Sequence, residues 1–132
     1  MTRKPPPVRD FMTHLPVECE ACETIADAVE LMKSRDIRHM PVMSGSHLKG
    51  ILSQHDILEE RVRHGAAIDA MPLEAFCRHE VLSVPPLTPV NEVAEKMLSH
   101  RCGSAVVVDA GFVVGIFTAT DALKALSELF GN

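Results

Sequence analysis

The chain has 132 residues, 46% of them apolar, with no Trp or Tyr, five Phe, and 13 Lys and Arg against 18 Asp and Glu for a net charge of -5. That length suits one domain with its own core. An acidic chain without a dense basic run lacks what a nucleic-acid binder needs to neutralise phosphates, and so few rings cannot stack successive bases.

Residues 1–7, Met-Thr-Arg-Lys-Pro-Pro-Pro, read as a flexible N-terminal segment, and the lack of an apolar run behind them argues against a secretory signal. No stretch approaches the roughly 20 apolar residues of a membrane span. The opening Val8-Arg-Asp-Phe-Met-Thr13 leads toward a strand near Val17. Ile25, Ala28, Val29 and Met32 fall at i, i+3, i+4 and i+7, which predicts an amphipathic helix, and Thr24 with Asp27 reads as its capping box. Met40-Pro-Val-Met43 suits a short buried strand. The polar break Ser44-Gly-Ser-His47 then predicts a turn into a second strand, Leu48-Lys-Gly-Ile-Leu52. A helix from Asp56 to Val62 closes the unit, and residues 65–72, with Gly, Ala and Pro, form a short linker.

The same order then recurs. Shifted by 65 positions, residues 8–64 fall on 73–129 without a gap, matching Phe11 with Phe76, His14 with His79, Glu30 with Glu95, Gly50 with Gly115 and Asp56 with Asp121. Val90, Val93, Ala94 and Met97 repeat the helical spacing, with Thr88 and then Pro89, a favoured first helical residue, as the start signal. Ala105-Val-Val-Val108, the break Asp109-Ala-Gly-Phe112 and Val113-Val-Gly-Ile-Phe117 repeat the hairpin, and a helix from Asp121 to Leu129 closes the second copy. Residues 8–64 and 73–132 are thus two α+β repeats. Each leaves an apolar sheet face uncovered, so two copies stacked about a pseudo-twofold axis complete a core.

The candidate chemistry lies where each second strand enters its closing helix: Gly-Ile-Leu-Ser-Gln-His-Asp at 50–56 and Gly-Ile-Phe-Thr-Ala-Thr-Asp at 115–121. Glycine permits close approach of a ligand or of another backbone. Ser53 and Thr118 stand at a helix mouth, where unpaired N–H groups and the positive dipole end favour a phosphate. Asp56 and Asp121 follow about 4.5 Å along the axis. Their carboxylates, acceptors only, suit the vicinal hydroxyls of a ribose. The same Ser/Thr-x-x-Asp pattern is also a capping box, which needs no ligand.

The doubled motif, the Met40-Pro-Val strand behind Ile37-Arg-His39, and the Val8-to-Thr13 opening resemble a tandem pair of CBS (cystathionine β-synthase) domains, or Bateman module. The resemblance covers about residues 8–130. It implies an α+β fold of two pseudo-twofold-related βαββα halves packed through their small sheets, commonly paired again as a homodimer. It implies a stand-alone, non-catalytic, regulatory module with no required cofactor. Its ligand would be an adenosine-containing molecule (AMP, ADP, ATP or S-adenosylmethionine) in the cleft between the repeats, and its output would pass to an effector protein. By that resemblance Asp56 and Asp121 hold ribose hydroxyls, Ser53 and Thr118 face phosphate or ribose oxygens, and Met40, Pro41 and Val17 line the base pocket.

The halves are unequal. Arg38 and His39, which could neutralise a phosphate, correspond to Gly103 and Ser104, and Pro41 corresponds to Val106. The Asp56 site is therefore expected to be the better nucleotide site, and the Asp121 site to be weaker, tuned to a less charged ligand, or vestigial. A helix C-terminal end would also favour Arg38 and His39 as merely solvated cations. Cys19-Glu-Ala-Cys22 is a C-x-x-C, but zinc needs two further ligands, for which Cys77 and His79 are the candidates by count. Acidic neighbours at 18, 20 and 23 disfavour a reactive thiolate. No metal site is expected, and the four cysteines read as thiols of a cytoplasmic protein. Two other readings stay open: a structural dimerisation module with degenerate clefts, and a metal or thiol switch through Cys19 and Cys22. No P-loop, dinucleotide fingerprint or nucleophile elbow is present, so no catalytic apparatus is expected.

Overall fold

A computed structural model describes residues 4–14, 18–20 and 23–131, with Cys19 and Glu20 by their backbone alone. In chain order the elements are β1 (Thr13–His14), β2 (Cys19–Glu20), α1 (Ile25–Arg35), β3 (His39–Ser44), β4 (His47–Ser53), α2 (Gln54–His64), β5 (Ser83–Val84), α3 (Val90–His100), β6 (Ser104–Asp109), β7 (Phe112–Thr118) and α4 (Ala119–Phe130). Short 3-10 turns occupy Val8–Asp10, Gly65–Ala70 and Leu73–Ala75. The chain divides into two compact units, one drawn from residues 17–81 and the other from residues 1–16 together with 82–132. Each is α+β.

In the first unit β2 runs parallel to β3, and β3 pairs antiparallel with β4. The predicted start of α1 is realised: Thr24 Oγ1 accepts from the Asp27 N–H at 3.3 Å, and the Asp27 carboxylate accepts from the Thr24 N–H at 3.4 Å. Ile25, Ala28 and Met32, the face read from the spacing, are buried with Met40, Val42, Leu52 and Ile57 in one apolar cluster. That cluster also takes in Ile68, Leu73 and Cys77, which follow the repeat in sequence.

The second unit orders its strands β1-β7-β6-β5, with β5 parallel to β6 and the remaining pairs antiparallel. Its core contains Val84, Val90, Val93, Met97, Ala105, Val107 and Phe117, and also Val8 and Met12 from the other end of the chain. One expectation is corrected here. Helix α3 begins at Val90 with Pro89 as its N-cap residue, and no side chain caps it. The Pro6 carbonyl accepts from the Val90 N–H at 2.9 Å, so a distant backbone group does what Thr88 was expected to do.

The lead segments are therefore exchanged. Residues 8–14, which open the first repeat, pack on the strands of the second. Residues 73–78, which open the second, pack on the first. The glycines of the doubled motif are where these segments dock. Arg78 and Ile51, next to Gly50, exchange backbone hydrogen bonds at 2.8 and 2.9 Å. A Cβ at Gly50 would collide with the Arg78 carbonyl oxygen and lie 2.9 Å from Cys77 Sγ, and one at Gly115 would strike the Met12 thioether. Of the two uses that the sequence left open for these glycines, close approach of another backbone is what Gly50 serves.

Candidate functional site

Both closing helices begin as the motif requires. Ser53 and Thr118 are the N-cap residues of α2 and α4, in extended conformation. Ser53 Oγ accepts from the Asp56 N–H at 3.1 Å, and Thr118 Oγ1 accepts from the Asp121 N–H at 3.3 Å. Strand register brings further candidates to each helix mouth: His39 lies opposite Ser53, and Ser104 opposite Thr118. The Arg38 carbonyl accepts from the Gln54 N–H at 2.8 Å, as the Gly103 carbonyl does from the Ala119 N–H at 3.1 Å. Ser53, Asp56, His39 and Arg38 are thus gathered in one unit, and Thr118, Asp121 and Ser104 in the other.

Burying polar groups is costly unless they are hydrogen-bonded, and the chain concentrates them here. Among the described residues the buried polar side chains are Ser53, Asp56, Ser104 and Asp121, all candidates from the sequence. None of their buried atoms lacks a partner.

The two carboxylates spend their lone pairs differently. The Asp121 Oδ2 turns back onto its own cap, accepting from the Thr118 N–H at 3.0 Å and its hydroxyl at 3.1 Å. Asp56 faces Arg78, whose Nε and Nη2 donate to Oδ2 and Oδ1 at 3.0 and 3.2 Å. Burial by itself would raise the Asp56 pKa. Hydrogen bonds with Arg78 and Ser53 and the charges of Arg78 and His55 outweigh it, holding the carboxyl below its ordinary value and ionised. For half-buried His39 burial dominates and lowers the pKa, aided by Arg38 and opposed by Asp56, so the imidazole is neutral at pH 7.

Arg78 was not among the sequence candidates. It lies 22 residues from Asp56, and only the exchange of lead segments brings it there. No local spacing signals such a pair. Other candidates disperse. Met40 is wholly buried in the apolar cluster, and Pro41, the next residue along β3, has its side chain on the opposite sheet face. Val17, Cys22 and the Cys19 side chain lie outside the described residues. Cys77 is buried, and burial followed by the Glu74 charge raises its thiol pKa. Among the described residues no three His, Cys, Asp or Glu side chains cluster as a metal site, and no helix is long and apolar enough to cross a membrane.

The CBS domain family matches residues 8–63 and 73–128. Among solved structures the chain is similar to an acetoin utilization protein (AcuB) from Vibrio cholerae, 33% identical with a TM-score of 0.81 over 93% of this chain and 91% of that one. It is also similar to the CBS domain pair of protein MJ0100, solved in complex with 5-methylthioadenosine and S-adenosyl-L-methionine, at 26% identity and TM-score 0.82 over 96% and 97% of the two chains. A curated relative, an A-adding tRNA nucleotidyltransferase of Geobacter sulfurreducens, is 29% identical over 89% of this chain but only 13% of its own length. The first three curated relatives are all matched over less than half of their length. Two family matches falling on the two copies of one internal repeat place this chain in the CBS domain family, as a tandem CBS pair.

Proposed function

We propose that the chain is a regulatory, non-catalytic module that binds an adenosine-containing nucleotide of the AMP, ADP or ATP type at the mouths of α2 and α4. One observation carries this reading: the buried polar side chains of the described residues are concentrated at two equivalent helix mouths, each offering a hydroxyl and a carboxylate. The carboxylates accept ribose hydroxyls, and the N-terminal turn with the cap hydroxyl receives phosphate oxygens. Adenosine compounds bound by the MJ0100 pair support the ligand class. His39 and Arg38 make the Asp56 site the stronger one for a phosphorylated ligand. Ligand binding shifts whichever arrangement it prefers, and a second copy of the chain with an effector protein reads that shift in the cytoplasm. Exposed Leu123, Leu126 and Phe130 on α4, with Leu58 and Val62 on α2, support the homodimer.

Thermal unfolding with AMP, ATP and S-adenosylmethionine tests this. A ligand at 100 times its Kd adds about 2.7 kcal/mol. No stabilisation by any adenosine compound at millimolar concentration contradicts the reading. A second reading, a structural dimerisation module, is favoured by the caps together with the Arg78–Asp56 pair, which satisfy both motifs without ligand. A dimer indifferent to all three compounds would establish it.

A further inference from the structure

Asp56 and Asp121 are equivalent, but their surroundings differ at three positions that repeat and register also make equivalent. Arg38, His39 and Arg78 correspond to Gly103, Ser104 and Thr13. Thr13 lies across from Ile116 as Arg78 lies across from Ile51, so both lead segments meet their glycine strands in one register. Each difference takes a cation or a titratable base away from the second unit.

Resting on the nucleotide reading above, we propose that Arg78 is a specificity-determining residue: it makes the Asp56 site select phosphorylated adenosine ligands, while the Asp121 site, with Thr13, takes uncharged ones. The guanidinium is a rigid fork of five N–H donors that matches carboxylate and phosphate alike. Its Nε and Nη2 engage both oxygens of Asp56, and the side chain is 62% exposed while that of Asp56 is 12% exposed. The structure therefore holds a positive charge one hydrogen bond away from the oxygens assigned to the ribose. A carboxylate has roughly four acceptor sites, so ribose hydroxyls and Arg78 can share it.

A nucleotide brings hydroxyls for Asp56 and an anion for Arg78, complementing both members of the pair. A neutral nucleoside brings only hydroxyls, which leave Arg78 without an added anionic partner. Among the described residues Asp121 makes only its cap bonds and no ion pair. A phosphate there would meet an uncompensated carboxylate.

Isothermal titration of AMP and of adenosine tests the proposal. The Asp121→Asn background reports the first site and Asp56→Asn the second, with circular dichroism checking the fold of each variant. In Asp121→Asn, AMP should bind at least about tenfold tighter than adenosine, the size of one charge-assisted hydrogen bond. Adding Arg78→Thr should collapse that ratio to within about threefold, and Arg78→Lys, a charge without the fork, should retain part of it. In Asp56→Asn, Thr13→Arg should raise the preference for AMP. An unchanged ratio in Arg78→Thr, or tighter AMP binding once Arg78 is gone, overturns the proposal while leaving nucleotide binding intact. Failure of both ligands to bind the wild-type chain sinks the nucleotide reading, and this proposal with it.

Discussion

Gly50→Ala tests the exchanged architecture at its tightest point. A methyl group at Gly50 meets the Arg78 carbonyl, a backbone atom fixed by a reciprocal pair of hydrogen bonds to Ile51, and comes within 2.9 Å of buried Cys77 Sγ. Relief requires moving the 77–78 segment away, straining those two bonds, each worth about 0.5–1.5 kcal/mol net. Overpacking adds about 1–3 kcal/mol, and the lower chain entropy of alanine when unfolded returns about 0.4–1 kcal/mol. The net expectation is a loss of about 2–4 kcal/mol. At Gly115 the obstruction is the Met12 side chain, whose thioether can change rotamer. That substitution should cost about 1 kcal/mol or less. Urea unfolding followed by circular dichroism measures both. Equal costs at the two glycines, or a larger one at Gly115, would refute the docking of residues 77–78 on Gly50.

Other expectations follow from the same geometry. The depressed pKa of His39 means the unfolded chain takes up its proton first, so stability falls as pH drops below about 6.5. His39→Gln should flatten that limb, and an unchanged slope would contradict the half-buried neutral imidazole. The depressed pKa of Asp56 adds stability above its unfolded value near 3.9 that disappears only in stronger acid, as pH falls through the folded value. Leu73→Ala, in a wholly buried position, should cost about 2–5 kcal/mol in the unit of residues 17–81. Hydrogen exchange should localise the loss there, and a loss confined to residues 82–132 would contradict the exchange of lead segments. Phe130→Glu with Leu126→Glu should shift the homodimer proposed above to monomer in light scattering, since both side chains are exposed in the isolated chain. An unshifted mass would contradict the proposed role of α4 in pairing two copies.

Periodicity and capping made most of each repeat legible, because both are local. Ile25, Ala28 and Met32 turn inward as their spacing dictates, and Thr24, Ser53 and Thr118 all cap as their Asp partners three residues on suggest. What stayed hidden is non-local. The repeat boundary at residue 73 is real in sequence, yet Leu73 and Cys77 fill the core of the preceding repeat, and Val8 and Met12 that of the following one. Apolar lead segments look identical whichever partner they cover. Arg78 escaped notice for the same reason, and with it the different use of Asp56 and Asp121. Pro89 misled through chain geometry: its fixed φ suits either the first helical turn or the cap, and the Pro6 carbonyl favours the cap.

The most direct measurement is an AMP titration followed by amide shifts of the 15N-labelled protein. Saturable changes at His39, Ser53, Asp56 and Arg78, with weaker ones at Thr118 and Asp121, are the predicted result. Shifts restricted to the hairpin tips around Gly45 and Gly111, or none at millimolar AMP, would contradict it.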